Sequence, residues 1–320
     1  MQSVKKLVKV LKNRKRIFIQ THNYPDHDAV ASAFALQYLL KSFKIDTKII
    51  YHGDILRDSL QKMIDSLEID ILPHYKYKMS DDDTIVIVDA NKKNKNVATL
   101  KGNVAAVIDH HPGESFEELE FCDIRSDYGA CATIIFSYFA ELKLEPGREV
   151  ATALHTAIIF DTHQFTRNAS PLDIETVAML YQVSDVALVN SLVRNSIKLN
   201  DLKHYHYLLD NMRIEKGFAY CHFSNGCGKD MLAILADYIL SVEECKFVVL
   251  STQLSDEVSF CVRSENPKLP ANTAVQTILE GIGSGGGHID MAGGRIPNVK
   301  DFNMEAVYKK CLALAGVKKL

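Results

Sequence analysis

Apolar and polar positions change rhythm in blocks along the first half of the chain. Ile17–Thr21 (IFIQT) is a short β-like run, and Ala29–Phe43 (AVASAFALQYLLKSF) has the length and apolar periodicity of a helix. Thr47–His52 (TKIIYH) predicts a second strand. Thr84–Ala90 (TIVIVDA) and Val104–His111 (VAAVIDHH) are nearly continuous apolar runs, as expected of strands covered on both faces. TIIFSYFAEL and VATALHTAIIFD predict helices, the second with an end that also suits a strand. Strands alternating with helices give parallel βαβ units and an α/β domain.

The texture changes after about residue 195. SIKLNDLKHYHYLLDNMRIEKG is polar and helix-prone and predicts a connecting helix. Phe218–Phe223, Lys246–Leu254 and Val258–Ser264 predict strands, Asp230–Leu240 a helix, and Asp256-Glu257 a hairpin turn. Glycines cluster over residues 281–294. A second, smaller α/β domain follows, and 320 residues suit two domains of ordinary size.

Composition narrows the class. A chain 47% hydrophobic and 24% charged has a real core, and a net charge of -3 argues against bulk nucleic-acid binding while leaving room for a local basic cleft. The basic start, MQSVKKLVKVLKNRKR, places Val4, Leu7, Val8 and Leu11 at helical spacing and lacks the apolar core of a secretory signal. No run of 18 apolar residues predicts a membrane span. The seven cysteines, an odd number without a CxxC, read as free thiols of a reducing, cytoplasmic compartment. Even the closest pair, Cys221 and Cys227, is not expected to hold zinc.

Candidate chemistry gathers at the ends of four apolar runs. His22, Asp26 and Asp28 follow IFIQ in THNYPDHDAVAS, with Asp28 as the candidate helix cap; Asp89 ends TIVIVD; Asp109, His110 and His111 end VAAVI; Asp161 ends ALHTAIIFD. In an open α/β sheet, ligands bind beyond the carboxyl ends of the strands, so neighbouring runs would bring these groups into one crevice. Carboxylates packed together need a cation, and carboxylate with imidazole suits manganese or a similar divalent ion. Singly, each of these aspartates is an ordinary cap or strand end, and His155 within its apolar run is read as structural.

HNYPDHDA, VDA, DHH and FDT, in this order, resemble motifs I to IV of the DHH phosphoesterase family, and GSGGGHIDMAGG resembles the GGGH signature of its DHHA1 domain. In length and layout the chain is similar to the bacterial oligoribonuclease/pAp phosphatases. The resemblance implies an α/β fold with an N-terminal parallel-sheet DHH domain (residues 1–194), a linker helix (195–213) and a DHHA1 substrate-binding domain (214–320), with a cleft between the domains. It implies two divalent ions, manganese first and magnesium or cobalt as alternatives. His22 and Asp26 would hold one, Asp28, His110 and Asp161 the other, and Asp89 would bridge them. Asp109 would orient a histidine ligand, and His111 would contact the scissile phosphate or assist the leaving oxygen. Gly285, Gly286, Gly287 and His288 would cradle an anion, and Arg263 would pair with a terminal phosphate or carboxylate. Arg295 is a weaker candidate outside the matched motif. His27 stands where glycine is common and is expected to be a neighbour, not a ligand; Ala31 also replaces a common glycine.

The expected activity is manganese-dependent hydrolysis of short oligoribonucleotides, of the 3′–5′ exonuclease type, and/or of the 3′-phosphate of pAp. The expected partner is therefore short RNA or a small nucleotide, with no membrane and a homodimer as an option. A phosphodiesterase for cyclic or linear dinucleotides is the alternative, an inorganic pyrophosphatase is less favoured, and a non-catalytic nucleotide-binding protein is the alternative of another class.

Overall fold

A computed structural model describes residues 3–91, 96–113, 118–194 and 197–316. The chain forms two compact units, residues 1–196 and 197–320. The first carries strands β1 (Ile17–Gln20), β2 (Lys48–Tyr51), β3 (Ile71–Pro73), β4 (Thr84–Val88), β5 (Asn103–Asp109) and β6 (Phe121–Ile124). Its helices are α1 (Val4–Leu11), α2 (His27–Lys41), α3 (Asp58–Ser66), α4 (Cys131–Leu142), α5 (Arg148–Asp161), α6 (Pro171–Leu180) and α7 (Val186–Arg194).

The six strands form one sheet in the order β3-β2-β1-β4-β5-β6, and every pairing is parallel. All six therefore end on the same side, as the runs of buried, β-branched residues predict. One face is covered by α2, α4 and α5, where Ile19, Val86, Val88 and Ile108 pack with Leu36, Ile135 and Leu154. On the other face, Ile85, Ile87 and Val107 pack with Cys122 beneath loop residues such as Leu100 and Leu119.

The second unit carries α8 (Leu202–Asn211), β7 (Arg213–Glu215), β8 (Phe218–Phe223), α9 (Lys229–Leu240), β9 (Phe247–Leu254), β10 (Glu257–Ser264), α10 (Ala271–Leu279), β11 (Ser284–Gly287), β12 (Met291–Ile296) and α11 (Met304–Leu314). Its mixed sheet runs β11-β12-β10-β9-β8-β7, with only β8–β9 parallel. Helices α10 and α11 pack on one face, and α8 and α9 on the other. Over the predicted linker, a 3-10 turn (Leu199–Asp201) leads into α8; residues 195 and 196 lie outside the described residues. No helix among the described residues is long and apolar enough to cross a membrane.

The run VATALHTAIIFD is helical to its end, as predicted, so Asp161 closes α5 and the strand option at that end falls away. Two expectations need correction. The cap of α2 is Asp26, whose carboxylate accepts from the amides of Asp28 and Ala29; Asp28 lies inside the helix. The turn between β9 and β10 is Ser255–Asp256, one residue earlier than predicted, with Ser255 at φ +53°. The glycine cluster folds as strand β11, where Gly286 and Gly285 face a second glycine pair, Gly293-Gly294 of β12.

Candidate metal centre

The parallel sheet delivers the polar groups to one edge. The segment leaving β1 carries His22 and, at the start of α2, Asp26 and Asp28; Asp89 follows β4, and Asp109 to His111 close β5. Asp89 sits at φ +57°, a left-handed conformation that aspartate tolerates better than most residues. That turn breaks the strand and sends the carboxylate along the edge. Asp161 reaches the same place from the end of α5, which packs closely on α2.

Two trios result: His22, Asp26 and Asp89, and Asp28, His110 and Asp161. His22 Nε2 lies 3.6 Å from Asp26 Oδ1 and 3.6 Å from Asp89 Oδ2. His110 Nε2 lies 3.3 Å from Asp161 Oδ2, 3.4 Å from Asp89 Oδ1 and 4.0 Å from Asp28 Oδ2. These separations are mostly longer than hydrogen bonds, and they approach the spacing of donors about 2.0–2.2 Å from a shared ion. The two oxygens of Asp89 face different trios, and its Oδ1, though buried, has no hydrogen-bond partner. Both histidines turn Nε2 inward, because Nδ1–H is engaged elsewhere: by Asn23 O at 2.9 Å in His22 and by Tyr128 O at 3.2 Å in His110. The donor set therefore fits divalent ions.

Electrostatics point the same way. Burial, with the charge of Asp89, raises the Asp28 carboxyl to about 7, although the amides of Cys131 (2.6 Å) and Ala132 (2.8 Å) at the start of α4 hold its two oxygens. Burial and the Asp28 charge likewise hold Asp161 well above the carboxylate range. Burial opposes charge on His22, yet Asp26 and Asp89 outweigh it and lift the imidazole to about 10. The protein's own groups do not neutralise this edge, and a bound cation would.

Asp109 is fully buried and holds His111, not a member of either trio: its Oδ1 accepts from the His111 amide at 3.1 Å and from Nδ1–H at 2.8 Å. Asp89, His110 and His111 form a third possible group, but the bond to Asp109 claims His111 Nδ1. His27 is packed away from the centre, stacked on Phe160 with centroids 3.7 Å apart, and burial pushes it down to about 3. His155 is also buried, with Nδ1 2.9 Å from Ser184 Oγ. All seven cysteines are buried free thiols, and none joins a ligand group among the described residues. Sequence reasoning missed the carbonyls of Asn23 and Tyr128 and the α4 amides, since backbone groups leave no residue signature.

In the second unit, a cavity of about 550 Å³ lies over β10, β12 and β11 beside α9, lined by Lys229, Ser259, Arg263, Gly287, His288 and Arg295 among others. Four glycines of β11 and β12 divide into two kinds. A Cβ on Gly285 would meet Val275 at 2.8 Å, and one on Gly294 would meet Leu279 at 2.4 Å, so these two let α10 approach the sheet. A Cβ on Gly286 would meet nothing, and one on Gly293 only Phe260 O at 3.7 Å. The His288 amide donates to Met291 O, so antiparallel alternation turns the amides of Gly285 and Gly287 out from the free edge of β11. Arg263 is less available than expected: it is 7% exposed, and Nε and Nη2 donate to the two carboxylate oxygens of Asp237 at 2.7 and 3.4 Å.

Fold and site together define a phosphoesterase whose parallel-sheet edge carries groups able to hold divalent cations. The chain belongs to the DHH family: residues 16–158 match the DHH family N-terminal domain, and residues 215–312 match the DHHA1 domain. It is 29% identical to an uncharacterized protein of Methanocaldococcus jannaschii, over 98% of this chain and 67% of that one. It is 26% identical to a probable manganese-dependent inorganic pyrophosphatase of Enterococcus faecalis, over 55% of this chain and 56% of that one. A cyclic-di-AMP phosphodiesterase of Listeria monocytogenes is 23% identical, over 92% of this chain and 46% of that one. The crystal structure of an exopolyphosphatase-related protein from Bacteroides fragilis shares the fold, with a TM-score of 0.75 at 21% identity over 98% of this chain and 97% of that one.

Proposed function

We propose that the chain hydrolyses short oligoribonucleotides from the 3′ end and/or the 3′-phosphate of pAp, using two divalent ions, manganese first. The observation that carries the two-ion reading is Asp89, whose oxygens face different ligand trios. When bound, such ions acidify a water and neutralise phosphoryl oxygens. His22, Asp26 and Asp89 would hold one, and Asp28, His110, Asp161 and Asp89 the other. The chain's own groups do the rest. Asp109 fixes His111 through Nδ1, so that Nε2–H is directed to the scissile phosphate or the departing oxygen. Burial opposes charge on His111, but the bond to Asp109 raises its pKa and keeps that proton available. In the second unit, the outward amides of Gly285 and Gly287, with His288, suit an anionic group, and Arg263 lines the same cavity as Gly287 and His288.

A pyrophosphatase is less favoured, because the pyrophosphatase relative matches only 55% of this chain and the second unit is a DHHA1 domain. A cyclic or linear dinucleotide phosphodiesterase stays as the second reading, supported by a relative that matches 92% of the chain. The complete ligand set disfavours a non-catalytic binding protein. The test is a side-by-side product assay with manganese on pAp, a short RNA, cyclic di-AMP and pyrophosphate. Turnover of pyrophosphate alone would reverse the order.

A further inference from the structure

The ion-binding edge uses β1, β4 and β5, but β2 and β3 run parallel to them and end on the same side. The side chains at those ends are aromatic rings and imidazoles. His52 follows β2, and His74 and Tyr75 follow β3. His52 Nδ1 lies 2.9 Å from His74 Nε2, with ring centroids 5.1 Å apart and planes inclined by 29°. Tyr75 stands edge-on to His74 at 6.0 Å, and Lys76 Nζ is 5.9 Å from the Tyr75 centroid.

Tyr24 joins this group to the ion-binding edge. It lies between His22 and Asp26, its amide donates to His52 O at 2.8 Å, and its ring lies across Gly53. A Cβ on Gly53 would sit 2.7 Å from the Tyr24 ring, and Gly53 has φ +86°, so glycine is required there on both counts. Tyr24 is 53% and Tyr75 71% exposed, whereas Tyr138 and Tyr220 are buried in the cores. One exposed tyrosine needs no explanation, but a row of rings continuous with a reactive edge does.

We propose that Tyr24, His52, His74 and Tyr75 form a stacking track for the bases that flank the scissile phosphate of a short single-stranded oligonucleotide. The inference rests on the oligonucleotide reading above and adds a site to it. Rings stack on any base, so such a track is tolerant of sequence. Neighbouring strands lie about 4.8 Å apart, so the track extends roughly 10 Å from β1 to β3. Tyr24 then faces the nucleoside next to the scissile phosphate, and His74 with Tyr75 faces the one beyond. Lys76 stands at Tyr75 and Arg57 acts on Asp26, while Asp54 acts on Tyr51 with the opposite charge, so stacking carries the track more than charge does.

The experiment compares wild type, Tyr75→Ala and Tyr75→Phe on a di- to pentanucleotide series with manganese, alongside melting temperature and oligomeric state. Tyr75→Ala should raise KM for the tetranucleotide roughly 5- to 150-fold, the span of one lost base–ring stack. It should leave the dinucleotide unchanged, and Tyr75→Phe should behave as wild type. An equal effect on both lengths, or none, overturns the track. So does a KM change that follows conversion of a dimer to monomer, which would make the rings a protein interface. If Tyr75→Ala is less stable, His74→Ala read by the same length dependence decides. Hydrolysis of every length by wild type with silent variants defeats only the track, whereas no hydrolysis of any oligonucleotide defeats the oligonucleotide reading and the track together and leaves pAp alone as the proposed substrate.

Discussion

Asp89→Asn separates the proposed bridging role of this residue from its role in the fold. Asparagine has the same shape and tolerates the left-handed φ of +57° as aspartate does, whereas alanine would add about 1–2 kcal/mol of backbone strain. The substitution removes one negative charge from an edge where Asp28 is already raised to about 7, partly by Asp89, so the metal-free variant should be no less stable than wild type. Its effect should appear with manganese. At an ion concentration 100 times Kd, binding stabilises a protein by about 2.7 kcal/mol. For a unit of this size, each kcal/mol moves Tm by about 2–4 °C, so wild type should gain about 5–11 °C. Asp89→Asn replaces one of the two oxygens, facing His22 or His110, by an NH2 group that has no lone pair to offer an ion, and most of that gain should vanish. Turnover should fall by at least about 100-fold, the upper end for loss of a group that merely supports a ligand. Thermal melts across a manganese titration and product release on the same samples read both effects. An Asp89→Asn protein with the wild-type manganese shift and wild-type turnover would refute the bridging assignment.

Other outcomes follow from the same geometry. In chelator, Asp28 with its carboxyl near 7 contributes stability that is full below about 4 and lost as pH rises through 7; His22, lifted to about 10, contributes stability that is lost between 6.5 and 10. Urea midpoints in chelator should therefore fall from pH 5 to 9 more steeply in wild type than in Asp28→Asn, and identical slopes would count against the Asp28 assignment. Gly285→Ala should destabilise by about 1–3 kcal/mol through its clash with Val275, while Gly293→Ala should be neutral or stabilising by about 0.4–1 kcal/mol; urea melts test the contrast. Asp237→Asn should free the Arg263 guanidinium and lower KM for a phosphorylated substrate if Arg263 binds it, so an unchanged KM would restrict Arg263 to structure. His111→Gln should lower kcat by about 100-fold or more with the manganese-dependent Tm gain intact, which separates phosphate contact from ion binding.

The centre was legible where the sequence places polar groups directly after buried runs. Asp89 after TIVIV and the Asp109–His111 triplet after VAAVI needed only the rule that parallel strands end together. Asp161 also ends an apolar run, but that run is a helix, so the strand rule does not place it, and only the packing of α5 on α2 brings it to the edge. The glycine cluster gave no strand signal for a related reason. Glycine carries no pleat pattern of its own, and only the pairing with Gly293-Gly294 makes a two-strand surface that α10 covers on one side through Gly285 and Gly294. The Arg263–Asp237 pair was invisible because it joins a strand to a helix 26 residues away.

Asp28 shows how the folding of the first unit and the preparation of its centre are one event. Its carboxylate is the acceptor for the first two amides of α4, so the side chain that faces His110 also fixes where α4 begins. A helix start favours an anion by a few tenths to about 1 kcal/mol, which is less than burial beside Asp89 costs, as the rise of Asp28 to about 7 records. Protonated Asp28 keeps one strong acceptor but weakens the hold on α4, whose next residue, Thr133, hydrogen-bonds Asp173 of α6. A cation beside Asp28 and His110 would restore the carboxylate and, through it, the seat of α4. Ion binding should therefore protect the amides of Cys131 and Ala132 from hydrogen exchange more than those of β3, which lies at the opposite edge of the sheet, two strands beyond β1. Equal protection of both segments would separate the fold from the centre and leave Asp28 as a ligand only.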